Sequence, residues 1–219
     1  MPDWKRIVGT SATISLTIQF LVGIQVCAQF YQKKTTGDTS GLTFLVGVVM
    51  TFIWFSYGSL IEDVSIMVVN LVGLVLQVVY SLVFLAYSPD KCESVRRLVV
   101  TLILVMTIET CILLEDDIHT AKTRLGLLCS SLTVLYCSAP LASLQHVCST
   151  HTTQSLPFYL ILATAAVAAQ WSLYGVIIQD MVVIIPNIVG CCVALAQLTL
   201  FCVFPHSHTD TYTQLHTQA

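Results

Sequence analysis

Seven long apolar runs alternate with short polar breaks along the chain, at 7–29, 42–61, 64–87, 97–114, 125–148, 157–178 and 181–204. Each approaches the roughly 20 residues an α-helix needs to cross a bilayer, so the pattern predicts seven spanning helices. The fourth run is short, and Ser, Thr and Pro140 interrupt the fifth. The breaks are polar: Gln32 to Gly41, Glu62–Asp63, Ser88 to Arg96, Glu115 to Arg124, Ser149 to Leu156 and Gln179–Asp180, with a polar tail after Pro205. The first run is too long for the apolar region of a signal peptide and lacks a small-residue cleavage pattern, so it is expected to be a retained helix.

Composition narrows the class. Only 10% of the 219 residues are charged and 56% are hydrophobic, with a mean hydropathy of +0.83. A soluble domain carries roughly 25% charged residues, so this chain cannot cover a water-facing surface. A net charge of -3 gives no footprint for nucleic acid. The nine cysteines sit mostly in apolar runs and form no CxxC pair, which argues for small buried side chains rather than a disulfide framework or zinc site. Seven crossings put the termini on opposite sides. Lys33, Lys34, Lys91, Arg96 and Arg97 then face Lys5, Arg6, Lys122 and Arg124 across the bilayer. The basic side favours an outside N-terminus and a cytoplasmic C-terminus.

The chain also repeats itself. The segment 54–80 (WFSYGSLIEDVSIMVVNLVGLVLQVVY) matches 171–197 (WSLYGVIIQDMVVIIPNIVGCCVALAQ) without a gap, at a constant offset of 117 residues. The identities include Trp54/Trp171, Tyr57/Tyr174, Gly58/Gly175, Asp63/Asp180, Asn70/Asn187 and Gly73/Gly190. Apolar blocks match by chance at Val and Ile, but not at Trp, Tyr, Asp and both of the chain's only two Asn. The offset covers four spans, an even number of crossings, so the halves run parallel. The expected fold is all-α and integral to the membrane: seven transmembrane helices as two parallel three-helix bundles joined by an inverting linker helix (3+1+3). The divisions are 1–90 for the first repeat, 91–124 for the linker helix and its loops, 125–205 for the second repeat and 206–219 for a cytoplasmic tail.

Depth points to chemistry. Trp54 and Asn70 each lie eight residues from Glu62 at the hairpin tip, and Trp171 and Asn187 flank Gln179 in the same way. At 1.5 Å per residue all four sit roughly 12 Å below the tips, within a hydrocarbon half-thickness of about 15 Å. A carboxamide at that depth needs a partner, either a neighbouring helix or a solute in a polar cavity. Two amides supply donors and acceptors for hydroxyls, and two indoles supply flat apolar faces. The set suits a sugar and offers no fixed charge for an ion.

The doubled pattern W-x-x-Y-G-(x)4-D-(x)6-N-x-x-G with seven apolar spans resembles the SWEET (MtN3/saliva) sugar transporters, a family of parallel repeats, and among them the animal members. The likeness is strongest at 42–87 and 138–205 and weak in the fourth helix and tail. The resemblance implies a facilitative, bidirectional sugar uniporter working by alternating access. It implies Asn70 and Asn187 as substrate-binding residues flanked by Trp54 and Trp171, and an outer gate at Tyr57 and Asp180. It further implies proline hinges, of which Pro140 and Pro157 are present while Gly23 and Thr43 stand at the other two positions. Two indoles narrow the cavity, so a monosaccharide such as glucose is expected over sucrose.

Other features stay outside this reading. Glu109 lies near the outer end of the linker helix and is expected to reach the surface. Asp63 and Asp180, at the hairpin tips, suit either plain capping of the hairpins or a gating role. His146 and His151 flank a loop, and His206, His208 and His216 lie in the tail; no metal or cofactor is expected. The alternative function is a PQ-loop carrier of another small solute such as an amino acid, although the chain has no Pro-Gln dipeptide. A seven-helix receptor needs no parallel repeat, an interaction-only membrane protein leaves the doubled motif unused, and no nucleophile–base or metal constellation suggests an enzyme. The partners expected are a small neutral sugar and the lipid bilayer, with homo-oligomer formation left open, in the plasma membrane or the Golgi membrane.

Overall fold

The computed structural model describes residues 3–153 and 156–204, without the side chains of Ala139, Leu141, Ala142, Ser143 and His146. The tail histidines therefore lie outside the described residues. Among the described residues seven α-helices follow one another: α1 (Trp4–Lys33), α2 (Leu42–Leu60), α3 (Val64–Tyr87), α4 (Lys91–Leu113), α5 (Ile118–Thr150), α6 (Phe158–Ile178) and α7 (Met181–Val203). Several exceed the apolar runs. The reason is capping: Asp3, Asp90 and Asp117 accept backbone N–H bonds at the starts of α1, α4 and α5, beyond the apolar stretch. A carboxylate there satisfies free N–H groups and complements the helix dipole. The fourth helix is thus a full 23 residues long, and α5 continues through Pro140.

Asp63 and Asp180 start α3 and α7 in the same way. The two tight hairpins are built alike. Glu62 (φ 56°) and Gln179 (φ 57°) are left-handed, and the next N–H reaches back to a glycine carbonyl, Asp63 to Gly58 at 2.9 Å and Asp180 to Gly175 at 3.0 Å. This is a Schellman closure. A Cβ on either glycine would stand 2.9 Å from an isoleucine of the returning helix, Ile66 or Ile184, so only glycine admits so close a return.

In each half the third helix packs against the other two, α3 on α1 and α2, and α7 on α5 and α6. The halves meet crosswise, α1 against α6 and α2 against α5, while α4 leans on α2 and α3. Broad apolar faces point outward, for example Ile14 and Ile18 of α1 and Leu102, Ile103 and Met106 of α4. Helices satisfy their own backbone groups and such faces suit hydrocarbon, so the protein is integral to the membrane. Five helices, α1, α2, α3, α6 and α7, are long and apolar enough to span by themselves; five charges in α4 and the many Ser, Thr and Cys of α5 dilute the other two.

The core is uneven along the bundle axis. At the hairpin end one buried cluster joins both halves: Ala12, Ile53, Tyr57, Ile66 and Val69 with Leu125, Cys129, Trp171, Tyr174 and Val183. At the far end there are two separate clusters, Phe30, Phe44 and Tyr80 in the first half and Val147, Leu156, Ile161, Ala165 and Ala194 in the second. The halves are sealed together at one end and parted at the other.

One proline not singled out from the sequence changes α7. Pro186 lies buried inside the helix, directly before Asn187. It has no N–H to give the Val182 carbonyl. Ser130 Oγ of α5 donates to that carbonyl at 2.9 Å. The equivalent bond in the first half, Thr13 Oγ1 to Ser65 O, is longer at 3.4 Å, and there Val69 still has its own N–H for that carbonyl. Ser130→Ala is therefore expected to cost about 1–3 kcal/mol, the penalty of an unsatisfied buried acceptor, and Thr13→Ala only about 0.5–1 kcal/mol. Thermal unfolding in detergent compares them; equal losses would contradict the repair role of Ser130.

Candidate transport site

Between the halves lies a cavity of about 270 Å³, lined from six helices. Trp54, Asn70, Trp171 and Asn187 all line it, with Thr51, Gln77, Thr133 and Tyr136 as further polar groups. Among the described lining residues none is charged and none is His. The reason lies upstream: five of the chain's aspartates are committed to helix starts, and the arginines of α4 and α5 pair nearby, Arg96 and Arg97 with Glu93 and Arg124 with Glu115.

The two Asn behave alike. Asn70 Nδ2 donates to Ile66 O and Asn187 Nδ2 to Val183 O, each at 2.8 Å and each one turn back on its own helix. Neither amide bonds a neighbouring helix among the described residues, so the pair does not glue the bundle. The back-bond fixes each rotamer and leaves the amide oxygen and one N–H unspent.

The indoles differ. Trp54 Nε1 donates to Thr133 Oγ1 at 3.0 Å, and Thr133 in turn donates to Cys129 O at 2.7 Å. Trp171 Nε1 is buried and has no hydrogen-bond partner among the described residues. The residue that stands to the first half as Thr133 stands to the second is Leu16, 117 residues earlier. It lines the cavity but has no acceptor.

The hairpin end is closed by a reciprocal cross. Tyr57 Oη of the first half donates to Asp180 Oδ2 of the second at 2.8 Å, and Tyr174 Oη of the second donates to both Asp63 oxygens at 2.8 Å. Lys5 Nζ adds an ion pair to Asp63 at 3.1 Å. Each aspartate still caps its helix, so capping and closure are one arrangement and not rivals. The sequence points to Asp63 as a capping or gating residue but not to Tyr174 or Lys5 as closing residues, although the offset that relates Tyr57 to Tyr174 contains the signal for Tyr174.

The other end opens into a cavity of about 650 Å³ lined by Thr43, Tyr136, Pro140, Pro157 and Gln197. Thr43, Val46 and Tyr136 border both cavities. Of the four hinge positions, Pro140 lies within α5, whereas Thr43 is the second residue of α2 and Pro157 precedes α6 as its cap. Gly23 in α1 makes room for the Tyr80 ring; a Cβ there would stand 2.3 Å from it. Glu109 is half-buried on α4 and does not line the cavity. All nine cysteines are free, and no metal-binding group of His, Cys, Asp or Glu occurs among the described residues.

Two copies of one sequence pattern, meeting around a shared cavity, can be compared with known proteins. The protein-family model described as a sugar efflux transporter for intercellular exchange, the MtN3/saliva family, matches residues 6–92 and again 123–209. The chain belongs to the SWEET (MtN3/saliva) family. It is 37% identical to sugar transporter SWEET1 of Drosophila pseudoobscura pseudoobscura over 203 residues, 91% of this chain and 89% of that protein. It is 34% identical to sugar transporter SWEET1 of Mus musculus, covering 95% of both chains. The structure of a eukaryotic SWEET transporter superposes with a TM-score of 0.84 over 93% of this chain and 99% of that one, at 22% identity, which shows a shared fold. These relatives are named as transporters, not enzymes.

Two tests follow from the SWEET cavity. Thr133→Val strands the Trp54 N–H and is expected to destabilise the protein by about 1–3 kcal/mol, whereas Leu16→Thr gives Trp171 an acceptor and raises the unfolding temperature. A lower temperature for Leu16→Thr would rule out the missing hydroxyl as the cause of the unpaired indole. At the closed end, Tyr57→Phe and Tyr174→Phe each delete one bond of the cross. Both should speed labelling of Cys129, fully buried beneath them, by a small thiol reagent, with site assignment by mass spectrometry. Unchanged labelling in the double variant would show that closure is independent of these hydroxyls.

Proposed function

We propose that this protein is a facilitative, bidirectional uniporter for a monosaccharide such as glucose, working by alternating access. The observation that carries the reading is the charge-free cavity with one back-bonded Asn from each half, both with unspent amide groups. A sugar presents hydroxyls that donate to amide oxygens and accept from amide N–H groups, and C–H faces that lie against an indole. The names of the relatives, sugar transporter SWEET1 in fly and mouse and a bidirectional sugar transporter in Arabidopsis thaliana, support this over an amino-acid carrier. A zwitterion would leave two charges unpaired in this cavity, which is costly in low dielectric.

Asn70 and Asn187 bind the hydroxyls; Trp54, held flat by Thr133, and Trp171 bracket the ring. The Tyr57–Asp180 and Tyr174–Asp63 bonds form the gate at the hairpin end. Breaking them while the far ends of the halves close moves the opening to the other side, with Pro140, Pro157, Gly23 and Thr43 as the bending positions of the open end. With the N-terminus outside, the hairpin end is extracellular or lumenal and the structure is open to the cytoplasm. The membrane is the plasma membrane or that of the Golgi. The cavity lies just below the roughly 300 Å³ at which pockets for drug-sized ligands begin, which favours one sugar ring over two.

Counterflow of labelled glucose in proteoliposomes of the purified protein tests this. Glucose exchange is expected to exceed sucrose exchange and to be unaffected by an imposed pH gradient. Asn70→Ala and Asn187→Ala are each expected to abolish it while the protein remains folded. Equal or faster sucrose flux would overturn the size preference, acceleration by a proton gradient would overturn uniport, and normal exchange by Asn70→Ala would remove the site assignment.

A further inference from the structure

Gln77 is a polar side chain of the cavity wall that neither half of the repeated motif requires. It lies seven residues after Asn70 on α3. Seven residues are almost two full turns, so both residues share one helix face, about 10.5 Å apart along the helix axis. Both line the same cavity. Gln77 lies further along α3 from the closed hairpin, on the side towards the open cavity.

The side chain is closely fitted but unpaired. Its amide rests on α2 at Gly47, where a Cβ would stand 2.5 Å from Cδ and 2.7 Å from both Nε2 and Oε1. Any other residue at position 47 would displace it. Neither amide atom bonds the protein among the described residues, and Oε1 is buried without a partner. Within a membrane protein an unmatched amide is costly. A glutamine kept for packing would be expected to bond something. Nor does the fold demand it: 117 residues later the second half has Ala194, buried and apolar, at the same place on α7.

We propose that Gln77 is a sugar-contacting residue, a second hydroxyl-binding station between the Asn70/Asn187 pair and the open cavity. This rests on the sugar reading of the cavity and adds an asymmetry to it. The Asn pair is twofold, whereas Gln77 reads a hydroxyl from the first half alone. A sugar leaving the Asn pair towards the open end exchanges an amide partner for an amide partner, and so avoids crossing an apolar wall with bare hydroxyls.

The test is Gln77→Leu, which keeps the bulk and removes the amide. Glucose transport and a set of glucose analogues, each lacking one hydroxyl, are measured in proteoliposomes against the unchanged protein. Loss of one hydrogen bond of about 0.5–1.5 kcal/mol is expected to raise the glucose KM about two- to tenfold with maximal rate little changed. The unchanged protein is expected to penalise one analogue in particular, and that penalty is expected to vanish in Gln77→Leu, as it must when the group that reads the hydroxyl is gone. If Gln77→Leu fails to accumulate, Gly47→Ala, which pushes the amide out of place, is expected to show the same analogue-specific effect. An unchanged KM, or an equal shift for every analogue, would overturn the proposal. Absence of glucose transport by the unchanged protein would overturn the sugar reading itself, and is distinguishable from both.

Discussion

Two carboxylates near the membrane surface organise this molecule. Asp63 is only 3% exposed, and a buried carboxylate is tolerated only when its oxygens are fully matched. Its partners come from three places: the Ile66 N–H of its own helix, Lys5 of α1 and Tyr174 of the opposite half. Asp180 repeats the scheme with Val182 and Tyr57. The hairpin turn, the start of the third helix and the contact between halves therefore cannot be varied independently. Where the cross holds, one hydrophobic cluster runs through both halves; at the far end no tyrosine–carboxylate bond joins the halves among the described residues, the clusters divide and the cavity opens.

Within this twofold plan three departures from symmetry lie at or beside the cavity. Thr133 faces Leu16 across the pseudo-axis, Pro186 faces Val69, and Gln77 faces Ala194. The first pair leaves one indole held and the other unpaired. The second opens α7 beside Asn187 and recruits Ser130 to close it. A perfectly symmetric cavity would suit a symmetric solute. A sugar ring is not one, and the two walls differ where such a cargo would touch them.

The scarcity of charge has a structural explanation. Five aspartates are spent as helix caps, two of them also in the closing cross, and the arginines of α4 and α5 are paired close by. Neutral amides and hydroxyls remain for the cavity. They bind weakly enough to release what they hold, since each protein–solute hydrogen bond replaces one to water and nets only about 1 kcal/mol.

The sequence by itself determined the number of helices among the described residues, the parallel repeat and the matching depth of Trp54, Trp171, Asn70 and Asn187, because hydrophobic length and a gapless offset are local, one-dimensional signals. It misjudged helix ends, since capping by Asp90 and Asp117 extends helices past the apolar run. Only the tertiary structure decided which groups meet. The resemblance already pairs Tyr57 with Asp180, 123 residues apart, but the reciprocal Tyr174–Asp63 bond and the ion pair of Lys5 with Asp63 are seen only in the packed halves. The unspent amide ends of Asn70 and Asn187, the unpaired N–H of Trp171 and the fit of Gln77 on Gly47 were likewise invisible. Hydrogen-bond satisfaction depends on neighbours in space, and those neighbours exist only once the two halves have packed.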